Sequence, residues 1–291
     1  MYRVAFMLIV ALLTATFAPT AAHAAQRLQG TRILFLTKSE GFLHGVVAAK
    51  PGKPSHAGTV LAQLAKDNGA TLDETNDASV INVENLKNYD LLVFYTQGDI
   101  RNSGGKDGAP GMGQEGLDAL IAWIKAGGAF LGYHSATDTL RMDGSPYRDM
   151  IGAGFASHGA QFKGTVKVVD AAHPVMKSIP QDWQIKDEWY TFNHWNSKNL
   201  RVLALMDPGA RERKRQPLYN APDYPVIWVA AYGDGLVYYD ALGHREDVWL
   251  NSTFQNSIVD AACWVLDKEH VTPDQTKPNF DEVVPKDKPA Q

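Results

Sequence analysis

The sequence predicts an α/β protein with a mainly parallel central sheet, and three observations support this. Short apolar runs recur at residues 32–37 (RILFLT), 90–96 (DLLVFYT) and 128–133 (GAFLGY). They are apolar throughout rather than alternating, which is typical of parallel strands covered on both faces. Helical patterns lie between them, at residues 58–68 and 114–126, and each ends at a glycine. This order predicts right-handed crossovers within one sheet.

The second half of the chain is richer in strand patterns. Residues 165–169 and 202–206 each have the pattern of a strand. Residues 225–232 and 236–242 flank Gly233-Asp234-Gly235, which predicts a β-hairpin. We therefore expect antiparallel pairing to follow the parallel part of the sheet.

The end of the chain predicts one last helix and then a tail. The apolar pattern of residues 252–267 predicts the helix. After Thr272 the chain is rich in Pro, Lys and Asp and has little to bury, so residues 271–291 are expected to form a flexible tail. One α/β domain over residues 30–270 is the resulting organisation.

The composition is that of an ordinary globular protein. The chain has 291 residues, of which 45% are hydrophobic, and a formal net charge of −4. A slightly negative balance disfavours nucleic acid as a partner, since phosphate binding needs a basic face. Cys263 is the single cysteine, which excludes an internal disulfide.

The first 24 residues have the pattern of a secretory signal peptide. Arg3 gives a positive start, residues 4–17 are almost wholly apolar, and Ala22-His23-Ala24 is an A-x-A cleavage site. The apolar run is shorter than the ~20 residues that a spanning helix needs, which disfavours a membrane anchor. We expect a periplasmic or secreted protein.

Three histidines follow predicted strands of the sheet. His44 comes after the first strand, His134 directly after the third, and His244 after the hairpin. Ligands of open parallel sheets bind beyond the carboxyl ends of the strands. We therefore expect His44, His134 and His244 to meet at one edge of the sheet, where an imidazole can act as acid, base or ligand.

The stretch GYHSATDT, residues 132–139, indicates a tight turn after a strand. Small residues flank His134, as they flank the exposed side chain of a nucleophile elbow. We expect His134 to act as acid/base or ligand, and Asp138 to orient it or to bind hydroxyl groups. The alternative is that His134 only caps a helix. Ser135 lies one place from the elbow position, so we assign it to substrate contact rather than nucleophilic attack.

Residues 243–246 (GHRE) resemble the His-x-Glu end of the glutamine amidotransferase triad. In class I amidotransferases a cysteine occupies the elbow, but here His134 stands there. Cys263 lies far downstream, on a predicted helix. Glutamine hydrolysis through a thiolate is therefore not expected.

The segment of residues 187–195 (DEWYTFNHW) combines two acids with four aromatic residues. Aromatic faces beside carboxylates suit sugars, since rings cover C–H faces while carboxylates accept from hydroxyl groups. The alternative is a set of core aromatics with solvated acids. We expect Glu188 to be catalytic and assign substrate contacts to Asp187, Trp189, Tyr190 and, from a glycine-flanked loop, His158.

A metal is a further possibility. Three or four histidines with carboxylates can hold zinc or another divalent ion with one open position. The chain has no short ligand motif such as H-x-x-x-H, so ligands have to come from separate loops. His44, His134 and His244 are then the expected ligands.

Several of these pieces together resemble the ThuA-like (trehalose-utilisation) proteins, over roughly residues 30 to 267. The matching pieces, in order, are Thr37-Lys38 with Gly41-Phe42 and His44, residues 132–139, Gly154-Phe155 with His158, His173-Pro174, residues 187–190, residues 225–228 and residues 241–244. The resemblance implies a flavodoxin-like, class I glutamine amidotransferase-like three-layer sandwich without the amidotransferase cysteine. Trp228, in one of the matching pieces, is added to the substrate contacts.

The resemblance also implies a substrate class. Members of the family occur with sugar-oxidising dehydrogenases, in pathways that pass through 3-keto sugars. We therefore expect an exported enzyme that acts on a disaccharide or 3-keto-glycoside as lyase, hydrolase or isomerase. The alternatives are a periplasmic sugar-binding or accessory protein without catalysis, and a metal-dependent hydrolase.

Overall fold

The computed structural model describes residues 26–220, 224–267 and 270–284. Its strands are β1 (Arg32–Leu36), β2 (Thr71–Thr75), β3 (Leu91–Phe94), β4 (Ala129–Tyr133), β5 (Gly154–His158), β6 (Phe162–Val168), β7 (Asp182–Asp187), β8 (Tyr190–Asn193), β9 (Leu200–Asp207), β10 (Tyr224–Tyr232) and β11 (Gly235–Asp240). Its helices are α1 (His56–Asp67), α2 (Val83–Leu86), α3 (Gly113–Lys125), α4 (Pro146–Ile151), α5 (Gly209–Arg215), α6 (Glu246–Trp249), α7 (Ser252–Val265), α8 (Pro273–Thr276) and α9 (Phe280–Val283). The predicted signal peptide, residues 1–24, lies outside these ranges.

Nine strands form the central sheet in the order β2-β1-β3-β4-β11-β10-β9-β6-β7. The first five strands are parallel to one another. Each of the next four, β10, β9, β6 and β7, runs antiparallel to the strand before it in this order. The order 2-1-3-4 at the parallel end is that of a flavodoxin-like sheet. The predicted α/β class with its mainly parallel sheet is confirmed. The hairpin is confirmed as well, because Tyr232 of β10 pairs with Gly235 of β11.

Helices cover both faces of the parallel part. Phe130 of β4 packs against Tyr147 of α4 at a ring-centroid distance of 6.1 Å. The next residue, Leu131, lines a small apolar cavity together with Leu61 of α1 and Ile258 of α7. Since successive side chains of a strand point to opposite faces, α4 lies on one face and α1 and α7 on the other. The structure therefore has three layers.

The strands that the apolar pattern does not predict are β2, β5, β7 and β8. β2 and β7 are the two edges of the large sheet, and β5 and β8 form a separate two-stranded sheet. In β7, buried and exposed residues alternate. Exposed residues interrupt β2, β5 and β7, and polar Thr191 and Asn193 interrupt the short strand β8, so none of the four has a continuous apolar run.

The segment after Thr272 differs from the flexible tail that its composition predicts. Its described part, up to residue 284, contains α8 and α9. The Asn279 side chain accepts from the backbone N of Val202 in β9 (2.6 Å) and donates to the carbonyl oxygen of the same residue (3.0 Å). The Phe280 ring lies 5.0 Å from that of Trp195. One polar and one aromatic anchor attach the segment to the sheet despite its low apolar content.

None of the helices in the described ranges combines the length and apolar composition that crossing a bilayer requires.

Candidate functional site

His134 lies in a strained turn at the end of β4. It begins a 3₁₀ turn, His134–Asp138, and has a φ of +43°, in the left-handed region that non-glycine residues rarely adopt. A Cβ on Gly132 would come within 3.0 Å of Ile151 and 3.2 Å of Ala136, so Gly132 allows this close approach. The Tyr239 hydroxyl donates to the carbonyl oxygen of His134 at 2.7 Å. The turn that the small residues predict is present.

The three histidines that follow strands lie together at the carboxyl edge of the sheet. The ring centroids are 5.1 Å apart for His44 and His134, 5.4 Å for His44 and His244, and 5.1 Å for His134 and His244. His134 and His44 are buried, and the His244 side chain is 21% exposed. Because β1, β3, β4 and β11 are neighbours and parallel, their following loops meet here.

Glu188 stands between the buried and the exposed histidines. Its Oε2 lies 3.4 Å from His134 Nε2 and 3.2 Å from His244 Nδ1. Its Oε1 lies 3.1 Å from Nδ1 of His158, whose side chain is 43% exposed. Glu188 occupies the turn between β7 and β8. It is therefore the carboxylate that contacts His244, whereas the His-x-Glu spacing had suggested Glu246, which begins α6.

Asp187 supports this arrangement from the interior rather than contacting substrate. It is fully buried, and its carboxylate accepts from the backbone N of Gly243 at 2.7 Å and of Glu188 at 2.9 Å. Burial raises the pKa of Asp187 to about 7, although both hydrogen bonds oppose this. Asp187 therefore fixes the loop that carries His244 beside Glu188.

The electrostatics of the cluster follow from burial and from Glu188. Burial, with His134 and His244 nearby, lowers the pKa of His44 to about 2. Burial also lowers the pKa of His134, although Glu188 opposes the shift. For His244 burial is outweighed by the Glu188 carboxylate, which raises its pKa. Burial opposes charge on Glu188 itself, but His134 and His244 hold its pKa far below the usual range. The cluster thus holds neutral interior imidazoles around an anionic carboxylate.

His134 is oriented by a backbone carbonyl. Its Nδ1 lies 2.9 Å from the carbonyl oxygen of Ala241, which only accepts, so Nδ1 carries the proton and Nε2 faces Glu188. The carboxylate of Asp138 instead accepts from Gln97 Nε2 at 2.8 Å and pairs with Arg141 at 2.7 Å. The expectation that Asp138 orients His134 is wrong, because its two carboxylate oxygens contact Gln97 and Arg141 while the Ala241 carbonyl orients the imidazole. Burial raises the pKa of Asp138.

Two of the predicted substrate contacts are core residues. Trp189 and Trp228 are fully buried, and their indole nitrogens donate to the carbonyl oxygens of Phe162 (3.0 Å) and Ile151 (2.8 Å). Their enclosure leaves no face for a sugar. Ser135 is fully buried too. Tyr190 is buried against the cluster, with its ring 4.1 Å from that of His134 and its hydroxyl 3.4 Å from His44 Nε2.

The structure adds two residues that sequence reasoning did not assign to the site. Phe42 is 56% exposed, and its ring centroid lies 4.7 Å from that of His44. The side-chain carbonyl of Gln97 accepts from the backbone N of Gly41 (2.7 Å) and Phe42 (2.6 Å), which fixes this loop. Neither residue belongs to a distinctive motif. The sequence feature that could have assigned them to the site is their position, since Phe42 follows β1 and Gln97 follows β3.

One comparison now decides the family. The sequence model of the ThuA family, described as trehalose utilisation, matches residues 32–265. The chain belongs to the ThuA family. A comparison with curated proteins finds no match. The matched range includes the parallel strands, and it also includes His44, His134, Glu188 and His244.

Solved structures support the ThuA fold. A ThuA-like protein from Bacteroides uniformis shares 22% identity at a TM-score of 0.61, over 87% of this chain and 95% of that chain. A ThuA-like protein from Parabacteroides merdae shares 18% identity at a TM-score of 0.62, over 89% and 95%. At these identities the likeness shows the fold.

An open cavity adjoins the cluster of this ThuA-family chain. Its volume is about 530 Å³, and His244, Gln161, Arg245, Glu246 and Asp247 are among the residues that line it. This volume lies within the range of small-molecule sites, and the lining combines these polar side chains with apolar Val46 and Leu250. One nitrogen or carboxylate oxygen of each of His44, His134, Glu188 and His244 lies within 4.8 Å of the others, so these four residues can hold a metal ion. The site can therefore combine proton transfer with electrophilic assistance.

Proposed function

We propose that the chain is a carbohydrate-processing enzyme that cleaves a keto-glycoside at the His134–Glu188–His244 cluster. The observation that carries this proposal is the position of Glu188, which contacts buried His134 through one oxygen and exposed His158 through the other. A carboxylate between an interior imidazole and a solvent-facing imidazole is suited to moving a proton. The third imidazole that contacts Glu188, that of His244, lines the cavity.

His158 is the proposed general base. Its Nδ1 lies 3.1 Å from Glu188 Oε1 and 3.1 Å from the carbonyl oxygen of Gly159, and both of these only accept. Nδ1 therefore carries the proton, which leaves the lone pair on Nε2. A carboxylate that holds an imidazole in this tautomer is the same arrangement that orients the base of a catalytic triad.

A keto-glycoside suits this arrangement because its ketone acidifies the neighbouring C–H bond. With a ketone at C3, the base removes the proton at C2, and the electron pair forms a double bond to C1 as the C1–O bond breaks. The leaving oxygen takes a proton from an acid, for which His244 is placed. Addition of water across the double bond then completes a net hydrolysis with no redox change.

The family's trehalose-utilisation description supports a disaccharide as the parent sugar. A ketone within a glycoside has to be made by oxidation of a secondary alcohol, so a sugar dehydrogenase is the proposed functional partner. We further propose export through cleavage after Ala24. N-terminal sequencing of the protein from the cell envelope fraction should then begin at Ala25.

Product analysis tests the proposed function. The purified protein is incubated with native and 3-keto disaccharides, and products are read by mass spectrometry. We expect a free sugar from keto-glycosides, with kcat lowered about 10²- to 10⁴-fold in His158→Asn. His194→Asn is the matched control, because His194 is exposed beyond the far end of β8. His134→Ala should also abolish turnover. Saturable sugar binding without any product would instead establish a non-catalytic binding protein.

A further inference from the structure

We infer that His44, His134, His244 and Glu188 form a binding site for one divalent metal ion of the zinc class. These four side chains come from four separate loops, after β1, β4, β7 and β11. Three imidazoles and one carboxylate are a typical ligand set for Zn²⁺ and neighbouring first-row ions, whereas Mg²⁺ and Ca²⁺ prefer oxygen ligands.

The spacing of three ligand atoms fits a tetrahedral ion. Zinc–nitrogen and zinc–oxygen bonds of about 2.0–2.1 Å place tetrahedral ligands about 3.3–3.4 Å apart. In the structure His134 Nε2 and Glu188 Oε2 are 3.4 Å apart, His244 Nδ1 and Glu188 Oε2 are 3.2 Å apart, and His134 Nε2 and His244 Nδ1 are 3.2 Å apart. The three edges of one tetrahedral face are therefore already present.

The hydrogen bonding leaves these atoms facing one another as acceptors. Since Nδ1 of His134 donates to Ala241, its Nε2 presents a lone pair to the carboxylate of Glu188. His134 Nε2, Glu188 Oε2 and His244 Nδ1 form a triangle, and a single proton on His244 Nδ1 cannot join all three atoms. A cation at its centre satisfies all three atoms at once.

His44 gives an independent observation. It is 4% exposed, and its Nδ1 has no hydrogen-bond partner among the described residues. Buried polar groups without a partner are uncommon and call for an explanation, such as an ion. An imidazole drawn into metal coordination would provide one.

The surroundings of the cluster resemble the outer shell of a metal site. The Ala241 carbonyl holds His134, and Asp187 holds the loop of His244 through Gly243. Partners of this kind set the tautomer and direction of metal ligands. The cavity beside His244 gives a path for the ion and for an exogenous oxygen. If all four side chains bind the ion, an oxygen that enters through this cavity would be a fifth ligand, an expansion that catalytic zinc sites can undergo.

Metal binding does not depend on the proposed function, but its role in turnover does. If the enzyme acts on a keto-glycoside, an ion here would polarise the ketone as a Lewis acid while His158 removes the neighbouring proton. His244 would then serve as a ligand, and water from the cavity would supply the proton to the leaving oxygen in its place. Metal content can be measured without any substrate, so the two proposals can fail separately.

The test uses the purified mature protein after treatment with a chelator. Zn²⁺, Co²⁺ and Mn²⁺ are titrated separately by calorimetry, and bound metal is measured by elemental analysis after dialysis. We expect about one equivalent of Zn²⁺ or Co²⁺, and at least a 100-fold loss of affinity in Glu188→Gln and His134→Asn. His194→Asn should bind like the wild type. Less than a tenth of an equivalent for all three ions, or unchanged binding in both cluster variants, would overturn the inference.

A second measurement needs no variant, in case the substitutions prevent folding. X-ray absorption of the Zn²⁺-loaded wild type should show two or three imidazoles in a first shell of nitrogen and oxygen, and a shell without imidazole would contradict the site. Metal binding without sugar cleavage would remove the proposed function alone. Sugar cleavage by metal-free protein, unaffected by chelator, would exclude a role of the ion in turnover, and the titration alone would then decide whether the site binds metal.

Discussion

The backbone amide of Gly243 donates to the buried carboxylate of Asp187 at 2.7 Å. This hydrogen bond joins the end of β7 to the loop after β11, two strands that are not neighbours in the sheet. Glu188 directly follows Asp187, and His244 directly follows Gly243. One interior contact therefore places a carboxylate and an imidazole of the candidate site beside each other.

Asp187→Asn should destabilise the protein. Both carboxylate oxygens accept from backbone N–H groups, of Gly243 and of Glu188. An asparagine has one oxygen, so its amide N–H₂ group meets a backbone donor in either rotamer. We expect a loss of about 1–3 kcal/mol in the free energy of unfolding, measured by urea denaturation. Asp73→Asn, at an exposed position, is the control and should change it by less than about 0.5 kcal/mol.

Tyr239→Phe should weaken the turn that holds His134. The Tyr239 hydroxyl donates to the His134 carbonyl at 2.7 Å and contacts Thr137 at 2.9 Å, inside the protein. Losing a buried hydrogen bond that supports a left-handed residue should cost about 1–2 kcal/mol in thermal or urea unfolding. Tyr89→Phe removes an exposed hydrogen bond to Asp73 and serves as the control. Equal stabilities for the two variants would show that the turn needs no such support.

Phe42→Ala should impair sugar binding without affecting folding. The ring is 56% exposed beside His44, where it can cover the C–H face of a sugar. We expect KM for an accepted glycoside to rise about tenfold with little change in kcat. Val83→Ala is the control, because it truncates another apolar residue that is 62% exposed. A KM within twofold of the wild type would exclude Phe42 as a substrate platform.

His173→Asn should change how stability depends on pH. Burial lowers the pKa of His173 to about 4 from 6.5, and its ring accepts from Val175 N and contacts the Gln275 carbonyl oxygen. The unfolded chain takes up a proton as pH falls below 6.5, while the folded chain resists until about 4. The wild type therefore loses stability across this window, by up to about 3 kcal/mol, and the loss levels off below it.

Urea unfolding of the wild type and His173→Asn between pH 4 and pH 7.5 measures this effect. The difference in unfolding free energy between the two proteins should shift in favour of the variant as the pH falls. A difference that stays constant over the window would mean that His173 titrates alike in the folded and unfolded chains. Asp240 does not affect this comparison, although burial raises its pKa to about 7, because it is present in both proteins.

The elements that were predicted correctly have a strong local signal. β1, β3 and β4 are continuous apolar runs, α3 has an amphipathic repeat, and the hairpin has its glycines. The predicted domain, residues 30–270, contains the whole sheet. The edge strands β2 and β7 were missed because one side of each faces solvent.

The sequence by itself determined the α/β class, the family and the meeting of His44, His134 and His244 at one edge. These depend on periodicity within segments and on parallel strands that end at the same side. Only the tertiary structure decided that Glu188, rather than Asp138 or Glu246, contacts His134 and His244, and that Trp189 and Trp228 lie in the core. The physical reason is that contacts between side chains far apart in sequence depend on the direction that the backbone takes after each strand ends. His134 and His244, for example, are 110 residues apart in the chain.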